Sequence, residues 1–349
     1  MTLWTTFCPQ KISWEITTVH GKGEGGDANW LNKTPVIEKS LRLLREAGIS
    51  GIRLVIYPNE VTKNGKKFAW QPVETMLDLC KKYTLLVDLC VGPFQYPNYP
   101  GIYLPVNFLE FVHNNTRSLD TTPIVREFGE TFLQKQLEHF GEDKRIRGFH
   151  FANEWPDKQR VQGREKVRAW ISESFMLWAA IYLKEHTTKP IGMNTNIDAT
   201  DTHKLKRVFG ELFALLEDQG RLGFDIYPSQ ETWAKAFLQK LHRLIEPYPR
   251  SIHRVKKQFP LNELYFCEVE AQPWGGGQSW FTIITTQANA QEKVLAYTRH
   301  SLHQTIKNFI KHSKPTEVSL WGADFWLSAY ELGLAWPLEQ VKQVARKTS

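Results

Sequence analysis

The chain has little that would place it in a membrane or in an oxidising compartment. Nowhere in its 349 residues is there an apolar run near the roughly 20 residues that a membrane helix requires. Its opening, Met1 to Pro9, has no basic stretch followed by an apolar one, so it does not read as a secretory leader and a cytoplasmic protein is expected. Cysteine is scarce. Cys8, Cys80, Cys90 and Cys267 form no C-x-x-C pair and each sits in or beside an apolar run, so buried reduced thiols are expected. No long basic block accompanies the net charge of +7. Lysine and arginine are spread over helix-like stretches such as Lys33 to Arg45 and Lys204 to Arg207, which read as solvated faces and argue against a nucleic-acid partner. No linker or low-complexity segment interrupts the chain. The Gly-x-Gly spacing within His20 to Asp27 lacks the strand-turn-helix setting of a dinucleotide site, so that stretch reads as a flexible loop.

What is present is an alternation of two periodicities. Apolar runs that read as strands fall at Leu3 to Cys8, Gly51 to Pro58, Thr84 to Gly92, Ile191 to Asp198, Leu222 to Pro228 and Glu317 to Trp326, besides two acidic stretches described below. Helical patterns fall between them: Pro35 to Gly48, Pro72 to Lys82, Pro123 to Phe140, Arg164 to His186, His203 to Gln219, an excursion over Glu231 to Lys257, Gln287 to Lys311, and a last helix from Pro337. Eight strands, each followed by a helix, point to right-handed βαβ units closed into a (β/α)8 TIM barrel. A barrel needs about 250 residues plus insertions, so a single domain spanning 1–349 is expected.

The two acidic stretches are Gly148-Phe149-His150-Phe151-Ala152-Asn153-Glu154-Trp155-Pro156 and Leu264-Tyr265-Phe266-Cys267-Glu268-Val269-Glu270-Ala271-Gln272-Pro273-Trp274. Each is an apolar run that ends on a carboxylate and breaks at proline, the pattern of a buried strand delivering an acid to the rim of a parallel sheet. Barrel active sites lie at the carboxyl ends of the strands. Two carboxylates meeting there suit glycosidic bond cleavage, in which one protonates the leaving oxygen and the other attacks the anomeric carbon. The apolar flank of Phe151 and Trp155 suits Glu154 as the acid, because desolvation keeps a carboxyl protonated. In a regular strand Leu264, Phe266, Glu268 and Glu270 share a face, so either glutamate can be the nucleophile. Thirteen tryptophans offer flat apolar faces for sugar rings, although tryptophan is equally a core residue.

The Asn153-Glu154 pair, the glutamate of the second stretch, the Trp321-Gly322-Ala323-Asp324-Phe325-Trp326 run and the segment Leu44 to Leu54 together resemble the clan A glycoside hydrolases, the retaining barrels that include cellulase-like and β-galactosidase families. The resemblance covers nearly the whole chain and does not single out one family. It implies that Glu154 is the general acid/base and that Asn153 binds the sugar 2-hydroxyl. Arg53 and Tyr227 would orient the nucleophile and hold it ionised, and Trp321 would be a sugar platform. Glu268 occupies the position that the clan pattern favours for the nucleophile, with Glu270 as the alternative or as a rim residue binding substrate hydroxyls beside Trp274.

The expectation is therefore a retaining β-glycoside hydrolase whose partner is a carbohydrate, with no metal and no cofactor. Two rivals stand beside it. In a metal-dependent sugar-converting barrel, Glu154, Asp198, Asp225 and Glu268 would be oxygen ligands. In a non-catalytic barrel the cleft would bind sugar without turnover. His150, Asp88 and the other strand-end aspartates read as structural groups, and Arg53 has a second reading as a salt-bridge partner at the barrel bottom.

Overall fold

The computed structural model describes residues 2–10, 12–13, 30–92, 94–97, 101–112, 118–195, 202–226, 263–270 and 317–348. Tyr227, Trp274, Asp198, the glycine-rich loop and the helical patterns over 231–257 and 287–311 lie outside them.

Eight strands pair side by side, all parallel: β1 (Thr2–Phe7), β2 (Gly51–Val55), β3 (Leu86–Gly92), β5 (Gly148–Phe151), β8 (Ile191–Thr195), β9 (Gly220–Ile226), β10 (Glu263–Glu270) and β11 (Glu317–Trp321). Their hydrogen-bonded order, β1-β11-β10-β9-β8-β5-β3-β2, is closed. Around them lie helices α1 (Thr34–Glu46), α2 (Pro58–Val61), α3 (Gln71–Lys82), α4 (Pro123–Phe140), α5 (Glu173–His186), α6 (Thr202–Leu216), α7 (Ala323–Glu331) and α8 (Trp336–Thr348). The local chemistry of α1 is typical of the set. Proline opens it, Ile37, Leu41 and Leu44 bury one stripe against the barrel, and Gly48 ends it at φ +90°, a conformation that glycine adopts without strain. No helix among the described residues is long and apolar enough to cross a membrane. Cys8, Cys80 and Cys90 are buried thiols outside any disulfide, as expected of them, whereas the side chain of Cys267 lies outside the described residues.

Two expectations need correction. The stretch Arg164 to His186 is not one helix. Residues Arg164–Ala169 form strand β7, which hairpins back antiparallel onto β6 (Gln159–Val161). Beside β6 lies β4 (Gly101–Ile102), giving a three-stranded sheet outside the barrel. Helix α5 begins only after Ser172, whose Oγ accepts from the Phe175 N–H (3.2 Å) while Asp120 receives the Ser172 N–H (2.8 Å), a side-chain N-cap. Likewise, the eighth barrel strand stops at Trp321. Gly322, at φ +135°, turns the chain into α7, whose residues Ala323 to Ala329 are all buried. A helix start buried on every side, with Phe325, Trp326 and Leu327 in succession, carries no amphipathic periodicity and reads as more strand.

The barrel floor is charged. Arg147, just before β5, and Arg221 on β9 face Asp88 on β3 and Glu317 on β11. Arg221 Nη1 lies 2.9 Å from Asp88 Oδ2 and Nη2 lies 3.1 Å from Glu317 Oε2. Arg147 Nη1 lies 2.6 Å from Glu317 Oε2, and its guanidinium sits 3.8 Å above the Trp4 ring, a cation–π contact. Trp4 fits because its neighbour on β2 is Gly51, where a Cβ would approach the indole to 2.7 Å. Burial opposes ionisation of Asp88, but Arg147 and Arg221 outweigh it and hold its pKa below the ordinary value.

Above the floor runs a chain of side-chain hydrogen bonds. Asn194 Nδ2 donates to Asp225 Oδ2 (2.6 Å), so Asn194 Oδ1 is the acceptor for His150 Nε2–H (2.8 Å). Burial, reinforced by the charge of Arg53, pushes the His150 pKa down to about 3, so the ring is neutral and its Nδ1 accepts from the Tyr265 hydroxyl (3.3 Å). Every bond therefore points from Tyr265 toward Asp225.

Both features give measurable consequences. Arg221→Met leaves Arg147 as the only cation among the described residues paired with the two buried carboxylates of the floor, and the resulting excess of buried negative charge should cost about 3 kcal/mol, read as a lower denaturant midpoint at unchanged slope. Cutting the exposed Lys135–Glu138 pair should leave the midpoint in place. The folded chain keeps His150 neutral down to about pH 3, whereas an unfolded imidazole protonates near pH 6.5, so unfolding takes up a proton between those values. The stability held by this residue is complete above about pH 6.5 and drains at up to about 1.4 kcal/mol per pH unit below it. Urea titrations at pH 7 and pH 5 should show that loss, and His150→Gln should flatten it; an equal slope in the variant would put the acid sensitivity elsewhere.

Candidate active site

All eight barrel strands run the same way, so their carboxyl ends surround one mouth. At the end of β5 the backbone is strained twice, with Ala152 at φ +53° and Glu154 at φ +54°. Non-glycine residues in this region cost on the order of 1 kcal/mol and cluster at functional sites. Between them Asn153 is 4% exposed, and its Oδ1 has no partner among the described residues. Glu154 is half-buried and its Oε2 accepts from Gln159 Nε2 at 2.7 Å. Gln159 belongs to β6 of the outer sheet, and it fits beside Gly101, where a Cβ would lie 2.7 Å from Gln159 Oε1. Gln95, which bridges to Ile102 of β4, also pins the loop, its Nε2 donating to the Asp157 carbonyl (3.0 Å). Trp155 is buried, and its Nε1 donates to the Ile171 carbonyl (3.0 Å).

Strand β10 lies three strands from β5 in one direction around the barrel and five in the other. It carries one residue more than its neighbours. Phe266 stands level with Phe224 of β9, but Glu268 stands level with Asp225; on the other side Phe266 is level with Val318 and Val269 with Leu320. This bulge overturns the expectation that Leu264, Phe266, Glu268 and Glu270 share one alternation. Tyr265, within the barrel against His150, has the inner phase below the bulge. Above it the phase shifts by one, so that Glu268 is level with Asp225 and Glu270 with Trp321, both inner positions.

The other named residues fall as follows. Arg53 is buried in the barrel and its Nη2 donates to Thr6 Oγ1 (2.5 Å), while the pairs on the floor carboxylates described above are made by Arg147 and Arg221. Trp321 ends β11 and is 7% exposed. Asp225 ends the hydrogen-bond chain from Tyr265, and Asp88 belongs to the floor. Aromatics of the loop after β3 pack inward rather than offering open faces: Tyr103 stacks on Tyr57 (centroids 3.6 Å apart) and Tyr96 meets both edge-on. For the metal-dependent alternative, no group of three or more His, Cys, Asp or Glu suited to a metal ion occurs among the described residues; Asp198 lies outside them.

Sequence reasoning missed Gln159 and Asn194. Gln159 follows Glu154 by five residues on a stretch with no strand signal of its own, and Asn194 acquires a role only through its register opposite His150 and Asp225. The outer sheet left one trace in sequence, the Gln162-Gly163 pair that forms the hairpin turn with Gly163 at φ +73°.

No protein-family model matches the chain. Among solved structures it is similar to a β-galactosidase from the psychrophilic Marinomonas ef1, with 12% identity over 99% of this chain and 59% of that one at TM-score 0.58. The chain thus spans about three-fifths of that enzyme's length. It is also similar to the GH5_18 protein from Streptomyces cattleya solved with GlcNAc, with 13% identity over 92% and 70% of the two chains at TM-score 0.54. A third is native xylanase 10B from Thermotoga maritima, with 11% identity over 98% of each chain at TM-score 0.52. These neighbours are glycoside hydrolases of clan A, and at such low identity what this chain shares with them is their barrel fold.

Proposed function

We propose that the chain is a retaining β-glycoside hydrolase, a single (β/α)8 domain with elaborated loops that cuts a glycoside or oligosaccharide by double displacement. The observations that support this reading are the strained, hydrogen-bonded Glu154 at the end of β5 and the shifted register that sets Glu268 level with Asp225 and Glu270 level with Trp321 near the end of β10. Fold likeness to glycosidases supports the class, and the GlcNAc in one neighbour supports a carbohydrate substrate.

In this mechanism Glu154 protonates the leaving oxygen while Glu268 attacks the anomeric carbon, giving a covalent glycosyl-enzyme. Glu154 then takes a proton from the water that releases it. Gln159 donates to Oε2 of Glu154 and so helps to orient its carboxyl group. Asn153, whose buried Oδ1 has no partner among the described residues, takes a sugar hydroxyl. Arg53 and Tyr227 hold the nucleophile ionised, Trp321 with Trp274 supports the ring, and Glu270 binds hydroxyls at the rim.

A fluorosugar inactivator followed by peptide mass spectrometry should label Glu268. Label on Glu270 would move the nucleophile by two residues, and time-dependent inactivation without label on either would sink the double displacement. Glu154→Gln should lower kcat by about 10²–10⁴-fold on substrates with poor leaving groups. Gln159→Leu removes a donor that favours the carboxylate, so the alkaline limb of the kcat/KM profile should move up by about one pH unit. A profile that drops in height without moving would restrict Gln159 to packing.

A further inference from the structure

Strands β5 and β10, which lead to Glu154 and Glu268, are separated in the barrel by β8 and β9, yet one hydrogen bond crosses directly between them. The Tyr265 hydroxyl donates to His150 Nδ1 (3.3 Å). The intervening strands leave it room. Gly192 of β8 stands level with His150 and Gly223 of β9 stands level with Tyr265, so neither strand presents a side chain at these levels. A Cβ on Gly192 would lie 3.0 Å from the Tyr265 hydroxyl and 3.4 Å from His150 Nδ1. Glycine inside a strand weakens it and marks a place where another group passes close to the backbone.

Both partners of the bond are buried and held from other directions. The His150 ring is fixed in its plane by Asn194 on its second nitrogen, and Asn194 is fixed in turn by Asp225. The guanidinium of Arg221, a member of the charged floor, lies 4.6 Å over the Tyr265 ring. The level of this bond matters because regular pairing stops just above it. Among the described residues the β5–β8 pairing ends at His150 and Gly192, after which the chain climbs through the strained Ala152 to Glu154. The β10–β9 register slips between Phe266 and Glu268, so Glu268 lies beyond the bulge while Tyr265 lies below it. A side-chain bond at this height is therefore the last direct link between the two strands before each leaves regular register.

We propose that Tyr265 and His150 are positioning residues for hydrolysis, their bond tying β5 to β10 below the mouth and fixing the separation of the backbone positions from which Glu154 and Glu268 act. Retention needs two carboxyl groups about 5–5.5 Å apart and inversion about 6.5–9.5 Å, so a spacing set four residues below one acid and three below the other bears on the course of the reaction. The bearing on hydrolysis rests on the glycosidase reading, whereas the tie itself does not.

The test uses the full chain and two single variants. Tyr265→Phe keeps the ring against Arg221 and removes the hydroxyl, while Gly192→Ala keeps the hydroxyl and presses a methyl group against both partners. On aryl β-glycosides each should lower kcat about tenfold with KM within about twofold, because alignment of the acids is lost rather than substrate binding. The double variant should be no slower than Tyr265→Phe, since the methyl group then has no bond to disturb. Crystal structures of the parent and both single variants should show the separation of the Glu154 and Glu268 carboxyl groups changed by about 0.5 Å. A separation that matches the parent in both variants overturns the proposal. So do losses of kcat that multiply in the double variant, the behaviour of two independent packing defects, and so does a lower urea midpoint at unchanged kcat. If the parent turns over no aryl glycoside, the glycosidase reading fails, and the tie stands or falls on the carboxyl separation alone.

Discussion

Two guanidinium groups and two carboxylates, those of Arg147, Arg221, Asp88 and Glu317, occupy space at the barrel floor where bulky aliphatic layers are usual, and the strand register has to respect them. An aliphatic floor tolerates a slipped strand at modest expense. A charged one does not, because a slip leaves a buried charge without its partner. The ion pairs join β3, β9 and β11 with the residue that enters β5, strands that are not all neighbours, so they act across the barrel as well as around it. The positions of Glu154 at the end of β5 and of Asp225 at the end of β9 follow from a register set at the opposite end of the same strands.

Much of this was legible in the chain itself. Apolar runs ending on carboxylates mark β5 and β10 because a buried parallel strand needs both faces apolar until it reaches solvent. The proline-opened helices α1, α3 and α4 announce themselves by the same physics at the other periodicity. His150 reads correctly as a satisfied core residue, since a lone histidine in an apolar run has nothing to ligate. The segment after Glu154 was not legible. Arg164 to Ala169 opens on three successive charged residues and alternates only from Lys166 to Ala169, which suits a helix surface or an edge strand equally, and only pairing with Gln159 to Val161 decides between them.

The bulge in β10 was illegible for a different reason. Counting by twos assumes that each residue advances the ladder by one step, and no residue type in Phe266-Cys267-Glu268 declares that the assumption fails. The surplus residue becomes visible only against two neighbours, β9 and β11, that both keep regular count. The hydrogen-bond chain from Tyr265 to Asp225 was hidden similarly, because its four members lie on four strands and meet only once the register is known.

That surplus residue ties the fates of Glu268 and Glu270 together. The two are in the same parity, so no single insertion or deletion below them can bring one to the mouth without bringing the other. A chain that lost the surplus residue would retire both acids in one step and present Cys267 and Val269 instead. Selection acting on this strand therefore sees the pair as one heritable unit, and a substitution at one glutamate is made in the continued presence of a second carboxylate in phase with it.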